Sequence, residues 1–73
     1  MLSVEEIQNI SINNLQCILR QKFEIIHRAN VSEVMIAQSD IDMLYEYFVE
    51  NNKIMSNKEF RNHLICAQVA SKR

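Results

Sequence analysis

The sequence has 73 residues, 48% of them hydrophobic, and carries eight Lys and Arg against nine Asp and Glu. This length allows a single domain over residues 1–73. The near-neutral charge argues against a non-specific nucleic-acid binder, whose affinity comes mainly from basic residues. The basic residues near the C-terminus are only the pair Lys58 and Arg61 and the tail SKR. Because a chain this short buries only about 60% of its unfolded surface, we expect a homodimer or a partner protein to cover the excess apolar side chains.

The cysteine content and the hydropathy pattern favour a cytoplasmic protein. Cys17 and Cys66 are the only cysteines, whereas a disulfide-stapled secreted domain normally has four or more. The opening segment MLSVEEIQNI lacks the basic and apolar regions of a signal peptide. No stretch approaches the roughly 18 apolar residues of a membrane span. We therefore expect a cytoplasmic location and no membrane contact.

The absence of glycine and proline predicts an all-α fold. Tight β-hairpin turns lack their usual residues, so the element boundaries must be set by Ser, Asn and Asp caps. Ser3 and Glu6 form a capping box that opens a helix over about residues 4–29. This helix is predicted to be continuous or to break near Asn13. Its apolar face has helical spacing and consists of Leu15, Ile18, Leu19, Phe23 and Ile26.

The middle of the chain predicts a connection followed by a second amphipathic segment. In RANVS, Asn30 is suited to the left-handed conformation that ends many helices. Ser32 and Ser39 are alternative caps for the helix that follows. Its core stripe comprises Ile41, Leu44, Tyr45 and Phe48. We expect this helix to end in the segment ENNK, with Asn51 or Asn52 as its cap.

The last segment, IMSNKEFRNHLIC, has the signals of a helix start. Ser56 is the predicted cap, Glu59 stands three residues later, and Met55 is placed to pack on Phe60 as a hydrophobic staple. Phe60, Leu64 and Ala67 form the apolar face. The chain as a whole therefore predicts three or four short amphipathic helices in a helical hairpin or bundle. Its predicted core or dimer residues are Leu15, Leu19, Phe23, Ile26, Leu44, Tyr45, Phe48, Phe60 and Leu64.

The titratable residues do not form a recognisable chemical site. His63 and Cys66 share a helix face, but a structural zinc site needs four ligands, and Cys17 and His27 do not form a second short pair. The carboxylates, Asp40 among them, are spread along the chain like solvated helix faces rather than a converging acid–base pair. We therefore predict no enzyme activity, no metal and no cofactor.

Four residues are candidates for contact with a partner. Met43 and Tyr47 lie off the core stripe, and Met and Tyr are enriched at protein interfaces. The alternative is a wider buried face inside the same monomer. Lys58 and Arg61 lie at the start of the last helix. With Asn57 and Asn62, they also fit a helix over about residues 57–70 that reads a DNA groove.

The segment IDMLYEYFVENNKIMSNKEFRNHLIC, residues 41–66, resembles the small YmgB/AriR proteins of enteric bacteria. The shared pattern is an apolar helix, a short polar connection, and a helix that opens with Ser and Lys and runs to a Leu-Ile pair. These features fall on Leu44, Phe48, Asn51, Asn52, Ser56, Lys58, Leu64 and Ile65. The resemblance implies an all-helical homodimer that serves as a connector in two-component signalling and transcription, with effects on biofilm formation and acid resistance.

The function predicted from this combination is non-enzymatic regulation. The chain would be a connector or anti-repressor type of adaptor that contacts a signalling or transcription protein. The first alternative is a small DNA-binding transcriptional regulator that uses the last helix. The second is a small chaperone or inhibitor of a secretion-system or phage protein, which would hold its partner in an apolar groove.

Overall fold

The structure is a computed structural model that describes residues 1–72; Arg73, the last residue of the basic tail, lies outside the described part. The all-α prediction is confirmed, with helices and no strand among residues 1–72. The elements are α1 (Val4–Gln8), α2 (Ile12–Arg28), α3 (Val31–Tyr45), a π-helical segment (Glu46–Asn51) and α4 (Asn57–Ser71). The radius of gyration of 11.7 Å is close to the roughly 11 Å of a compact domain of this length.

The first predicted helix is split into α1 and α2. Ser3 Oγ accepts a hydrogen bond from the Glu6 N–H at 3.2 Å and the Glu6 carboxylate accepts one from the Ser3 N–H at 3.4 Å, which confirms the capping box. The structure takes the broken alternative, and the break falls at residues 9–11, just before Asn13. Its cause is Ser11, which takes the extended conformation of an N-cap (φ −81°, ψ 158°) and opens α2.

Asn30 opens α3 instead of closing α2. Its backbone is extended (φ −72°, ψ 172°), and its Oδ1 accepts a hydrogen bond from the Glu33 N–H at 3.0 Å. The predicted left-handed conformation of Asn30 is therefore wrong. Neither Ser32 nor Ser39 caps a helix, because α3 already begins at Val31 and runs past both.

The second amphipathic segment ends in a wider helical turn. After Tyr45 the backbone continues as the π-helical segment, which buries Phe48 and ends at Asn51 with Asn52 as its C-cap. The freed carbonyls at this end find new partners. Asn52 Nδ2 donates to the Tyr47 carbonyl at 3.1 Å, and the Met55 N–H donates to the Phe48 carbonyl at 3.1 Å. In the connection, Lys53 takes the left-handed conformation (φ 50°).

Helix α4 begins where the sequence predicts. Ser56 Oγ accepts a hydrogen bond from the Glu59 N–H at 3.1 Å. Met55, just before this cap, is buried in the same cluster as Phe60. Phe60 and Ala67 point into the core, so the opposite face of α4 is left on the surface.

The core lies between α2 and its two neighbours, α3 and α4. The structure buries Leu15, Leu19, Leu44, Phe48 and Phe60 fully within it, and Ile7, Met55 and Ala67 complete the cluster. Phe23, Tyr45 and Leu64 are partly buried against this cluster, and the ring of Tyr45 meets that of Phe60 edge to face at 5.3 Å. Ile26 is half-buried and lies outside the cluster.

Candidate functional site

Among the described residues, large apolar side chains are more numerous on the surface than in the fully buried core. Those that remain more than a third exposed are Met1, Val4, Ile12, Ile25, Val31, Met35, Ile36, Ile54, Ile65 and Val69. Single exposed apolar residues are normal in soluble proteins, whereas grouped ones mark interaction sites. The question is therefore which of these side chains share one face.

The outward face of α4 groups apolar and basic side chains. Ile65 is 53% exposed and Val69 is 56% exposed, and they stand one helical turn apart. Lys58 and Asn62 precede them at spacings of four and three residues, so all four lie on one stripe of the helix. Arg61 stands one turn before Ile65 beside this stripe. We call the set Lys58, Arg61, Asn62, Ile65 and Val69 the α4 outer face.

The charge on the α4 outer face is positive and confined to the first half of the helix. Lys58 and Arg61 are both exposed, and the described residues place neither of them in an ion pair. Ile65 and Val69 follow in the second half. A complementary surface would therefore be apolar along its length with acidic groups at one end. Sequence reasoning named Lys58 and Arg61 as partner-contact candidates but did not add Ile65 and Val69 to them, although the stripe spacing was readable.

Met43 and Tyr47 occupy a different surface from Lys58 and Arg61. Both are only partly exposed and pack against the core, which favours the alternative of a wider buried face inside the same monomer. The cause is α1, because Val4 and Ile7 lie next to them across a shared recess. Tyr47 also packs edge to face on Phe48, with 5.2 Å between the ring centroids. The structure therefore does not bring the four candidates together into one site.

A shallow groove runs between α2 and α3. Ile25 lines both of its halves, Ala29 lies in one and Ile36 in the other. The two halves measure about 390 and 180 Å³. Glu33 lines both halves, Arg28 flanks the larger one, and charges of both signs therefore border the groove. This mixed lining gives no preference for one class of ligand.

Asp40 is the one carboxylate that the described fold buries fully. Its Oδ2 accepts a hydrogen bond from Lys22 Nζ at 2.9 Å, and its Oδ1 accepts one from the Leu2 N–H at 2.9 Å. Burial alone would raise the pKa of Asp40, but the Leu2 amide and the Lys22 ammonium outweigh it and hold this pKa below its ordinary value. Asp40 is therefore a buried structural anion, not the solvated carboxylate expected from the sequence.

The cysteines and histidines stay apart. Cys17 and Cys66 are free thiols on exposed positions, His27 is exposed and His63 is half-buried. Within residues 1–72, no three His, Cys, Asp or Glu side chains are grouped so that they could hold a metal ion. Among the same residues, no helix combines the length and the apolar character needed to cross a membrane.

The chain was compared with protein families, curated proteins and solved structures. No protein-family model, curated protein or solved structure matches this chain.

Proposed function

We propose that this protein is a non-enzymatic regulatory adaptor that binds a signalling or transcription protein through the α4 outer face. In this proposal the chain is a homodimer and works in the cytoplasm. The observation that carries the proposal is the placement of Ile65 and Val69, each more than half exposed, on one stripe with Lys58. Neighbouring exposed apolar residues with a charged border are typical of a protein-binding surface.

The fold supports this role because α4 is well suited to present a surface. Its start is fixed by the Ser56 cap, and Phe60 and Ala67 anchor its inner face in the core. The outer face is therefore held on a rigid helix that needs little ordering when a partner binds. The expected partner surface is a helix or groove with an apolar strip and acidic residues facing Lys58 and Arg61.

The class of partner comes from the sequence pattern of residues 41–66. That segment resembles the YmgB/AriR connector proteins, and the resemblance points to two-component signalling or transcription, with an effect on biofilm formation. Lys58 and Ile65 belong both to this resemblance and to the α4 outer face. This overlap favours a response regulator or transcription factor as the protein that α4 contacts.

The experiment is a quantitative pull-down with a tagged chain and a double variant, Ile65→Ser with Val69→Ser. Because both side chains are largely exposed, the variant should keep its fold, as far-UV circular dichroism would show. We expect recovery of the response regulator or transcription factor to fall at least about tenfold, which corresponds to about 1.4 kcal/mol of binding energy.

The matched control is the double variant Val31→Ser with Met35→Ser. These residues are also largely exposed and one helical turn apart, but they lie on α3. This control should recover the partner like the wild type. Equal recovery by both double variants, or loss in both, would contradict a role for the α4 outer face.

The DNA-binding alternative uses the basic half of the same face. Lys58→Gln with Arg61→Gln, measured by fluorescence anisotropy on DNA at several salt concentrations, separates the two readings. An adaptor should show only weak, sequence-independent DNA binding. The DNA-binding alternative instead predicts tight, sequence-dependent binding that falls steeply with salt and is lost in this variant. That result would mean that α4 binds in a DNA groove.

A further inference from the structure

Helix α1 is attached to the rest of the described fold at few points. Ile7 is its only buried residue, at 3% exposure, whereas Val4 is 62% exposed. The segment before α1 adds the hydrogen bond from the Leu2 N–H to Asp40 and a partly buried Leu2 side chain. A helix of five residues is far shorter than the roughly 12 residues that an isolated helix needs. The position of α1 therefore depends on the surface that it packs against. We call this surface, which includes Met43, Tyr47 and Asp40, the α1 seat.

The seat of α1 is incompletely filled. A recess of about 160 Å³, partly open to solvent, remains between α1 and the junction of α3 with the π-helical segment, and its lining includes Val4, Ile7, Met43 and Tyr47. If α1 moved away, the half-buried Met43 and Tyr47 would lose their cover. The free seat would then need a segment with an aliphatic residue equivalent to Ile7.

The three residues between α1 and α2 are suited to act as a hinge. Asn9 already has nearly helical angles (φ −91°, ψ −3°). Ser11 is extended, but its side chain makes no capping hydrogen bond. If this link became helical, residues 4–28 would form one helix about 37 Å long.

Such a straight helix would keep α1 in phase with α2. Val4, Ile7, Leu15 and Ile18 would share one apolar face, which the polar Ser11 interrupts between Ile7 and Leu15. Ile7 would then project beyond the body of its own chain, too far to reach its own seat. Its own seat would then be free to accept Ile7 from another copy.

We propose that α1 is an exchangeable element, and that in a homodimer the α1 of each copy occupies the seat of the other copy. The α1 of a second copy has the same sequence, so it can make the same contacts with the seat through Ile7 and the Leu2 amide. Exchange replaces each contact of α1 with the same contact from another chain. The equilibrium between monomer and exchanged dimer therefore depends mainly on protein concentration and on the hinge, where the packing of Ile10 on the core would change. The inference rests on the homodimer of the proposed function and is independent of partner binding by α4.

The hinge is tested first, with the double variant Asn9→Ala and Ser11→Ala. Alanine favours the helix at both positions, and Ser11 has no side-chain cap bond to lose. We expect the dimer dissociation constant, measured by light scattering over a concentration series, to fall at least about tenfold. A Gly-Ser-Gly insertion between Ile10 and Ser11 lets α1 fold back freely and should raise this constant at least about tenfold.

The control is Asn13→Ala with Asn14→Ala, which makes a similar change inside α2 and leaves the hinge intact. Its dissociation constant should stay within about twofold of the wild type. Circular dichroism shows whether each variant is folded. If the Asn9→Ala with Ser11→Ala variant does not fold, the insertion variant still tests the hinge. The proposal is overturned if the hinge variants leave the dissociation constant unchanged. It is also overturned if the control variant shifts this constant as much as they do.

Exchange is then distinguished from an ordinary dimer by cross-linking. Val4 and Tyr47 line the same recess, so both are changed to Cys in a chain that also carries Cys17→Ser and Cys66→Ser. A flexible bismaleimide should join the dimeric fraction into covalent dimers and the monomeric fraction into internally linked monomers. Internally linked monomers from the dimeric fraction would overturn the exchange. Partner capture through α4 is measured separately, so its failure would count against the proposed function alone.

Discussion

Asp40 shows how one residue ties three segments together. Its two oxygens bind Lys22 on α2 and the Leu2 amide ahead of α1, while its backbone belongs to α3. A buried carboxylate is tolerated only when it is paired and hydrogen-bonded. Among the described residues no buried side-chain polar atom lacks a partner, so this requirement is met. The partners stand 18 and 38 residues away, which is why local sequence patterns gave no sign of them.

Lys22→Met should destabilise the fold by about 3 kcal/mol, because it leaves the Asp40 carboxylate buried without a counter-charge. Asp40→Asn should lose less, about 1–2 kcal/mol, since an amide oxygen can still accept the Leu2 N–H and Lys22 retains some solvent access. Urea unfolding followed by circular dichroism at neutral pH measures both values.

The control for this pair is Arg20→Met, which removes an exposed ion pair with Glu24 on the same helix. Exposed pairs of this kind contribute only a few tenths of a kcal/mol, so the expected loss is below about 0.5 kcal/mol. If Lys22→Met is as mild as Arg20→Met, the buried pair does not stabilise the fold in the way that its geometry indicates.

At the scale of single elements, the two serine caps differ in a measurable way. Ser56 accepts a hydrogen bond from the Glu59 N–H, whereas Ser11 opens α2 without a side-chain bond. Ser56→Ala should therefore cost about 1 kcal/mol of unfolding free energy. Ser11→Ala should cost less than about 0.5 kcal/mol and serves as the matched control. Thermal unfolding of both variants at one pH gives the comparison, and equal losses would refute it.

The sequence predicted those parts of each element that depend on neighbouring residues. The Ser3 capping box and the Ser56 cap were readable, because each needs only a partner three residues away. The π-helical segment was not predicted, since the ordinary helical stripe through Phe48 gives no signal of a wider turn. The choice between exposed and covered Met43 and Tyr47 stayed open for a similar reason, because their cover depends on where α1 folds back.

At the scale of the whole molecule, the two proposals concern two different apolar regions of the described fold. The α4 outer face is open to a partner, and the α1 seat is already occupied by a segment of the same chain. Composition indicated that apolar side chains exceed what a small core can cover. It could not say where they lie, because that distribution follows from how α3 and α4 pack on α2.

The acid sensitivity of global stability tests whether Asp40 holds this arrangement together. Because its pKa is lower in the folded chain than in the unfolded one, its contribution is full above its ordinary pKa of about 4 and is lost as the pH falls through the folded value. The stability difference between wild type and Asp40→Asn should therefore be constant from about pH 5 to 7 and shrink below about pH 4. Urea midpoints from pH 2.5 upward measure it, with the other carboxylates cancelling between the two proteins. A difference that persists or widens in acid would mean that Asp40 is not a stabilising anion in the fold.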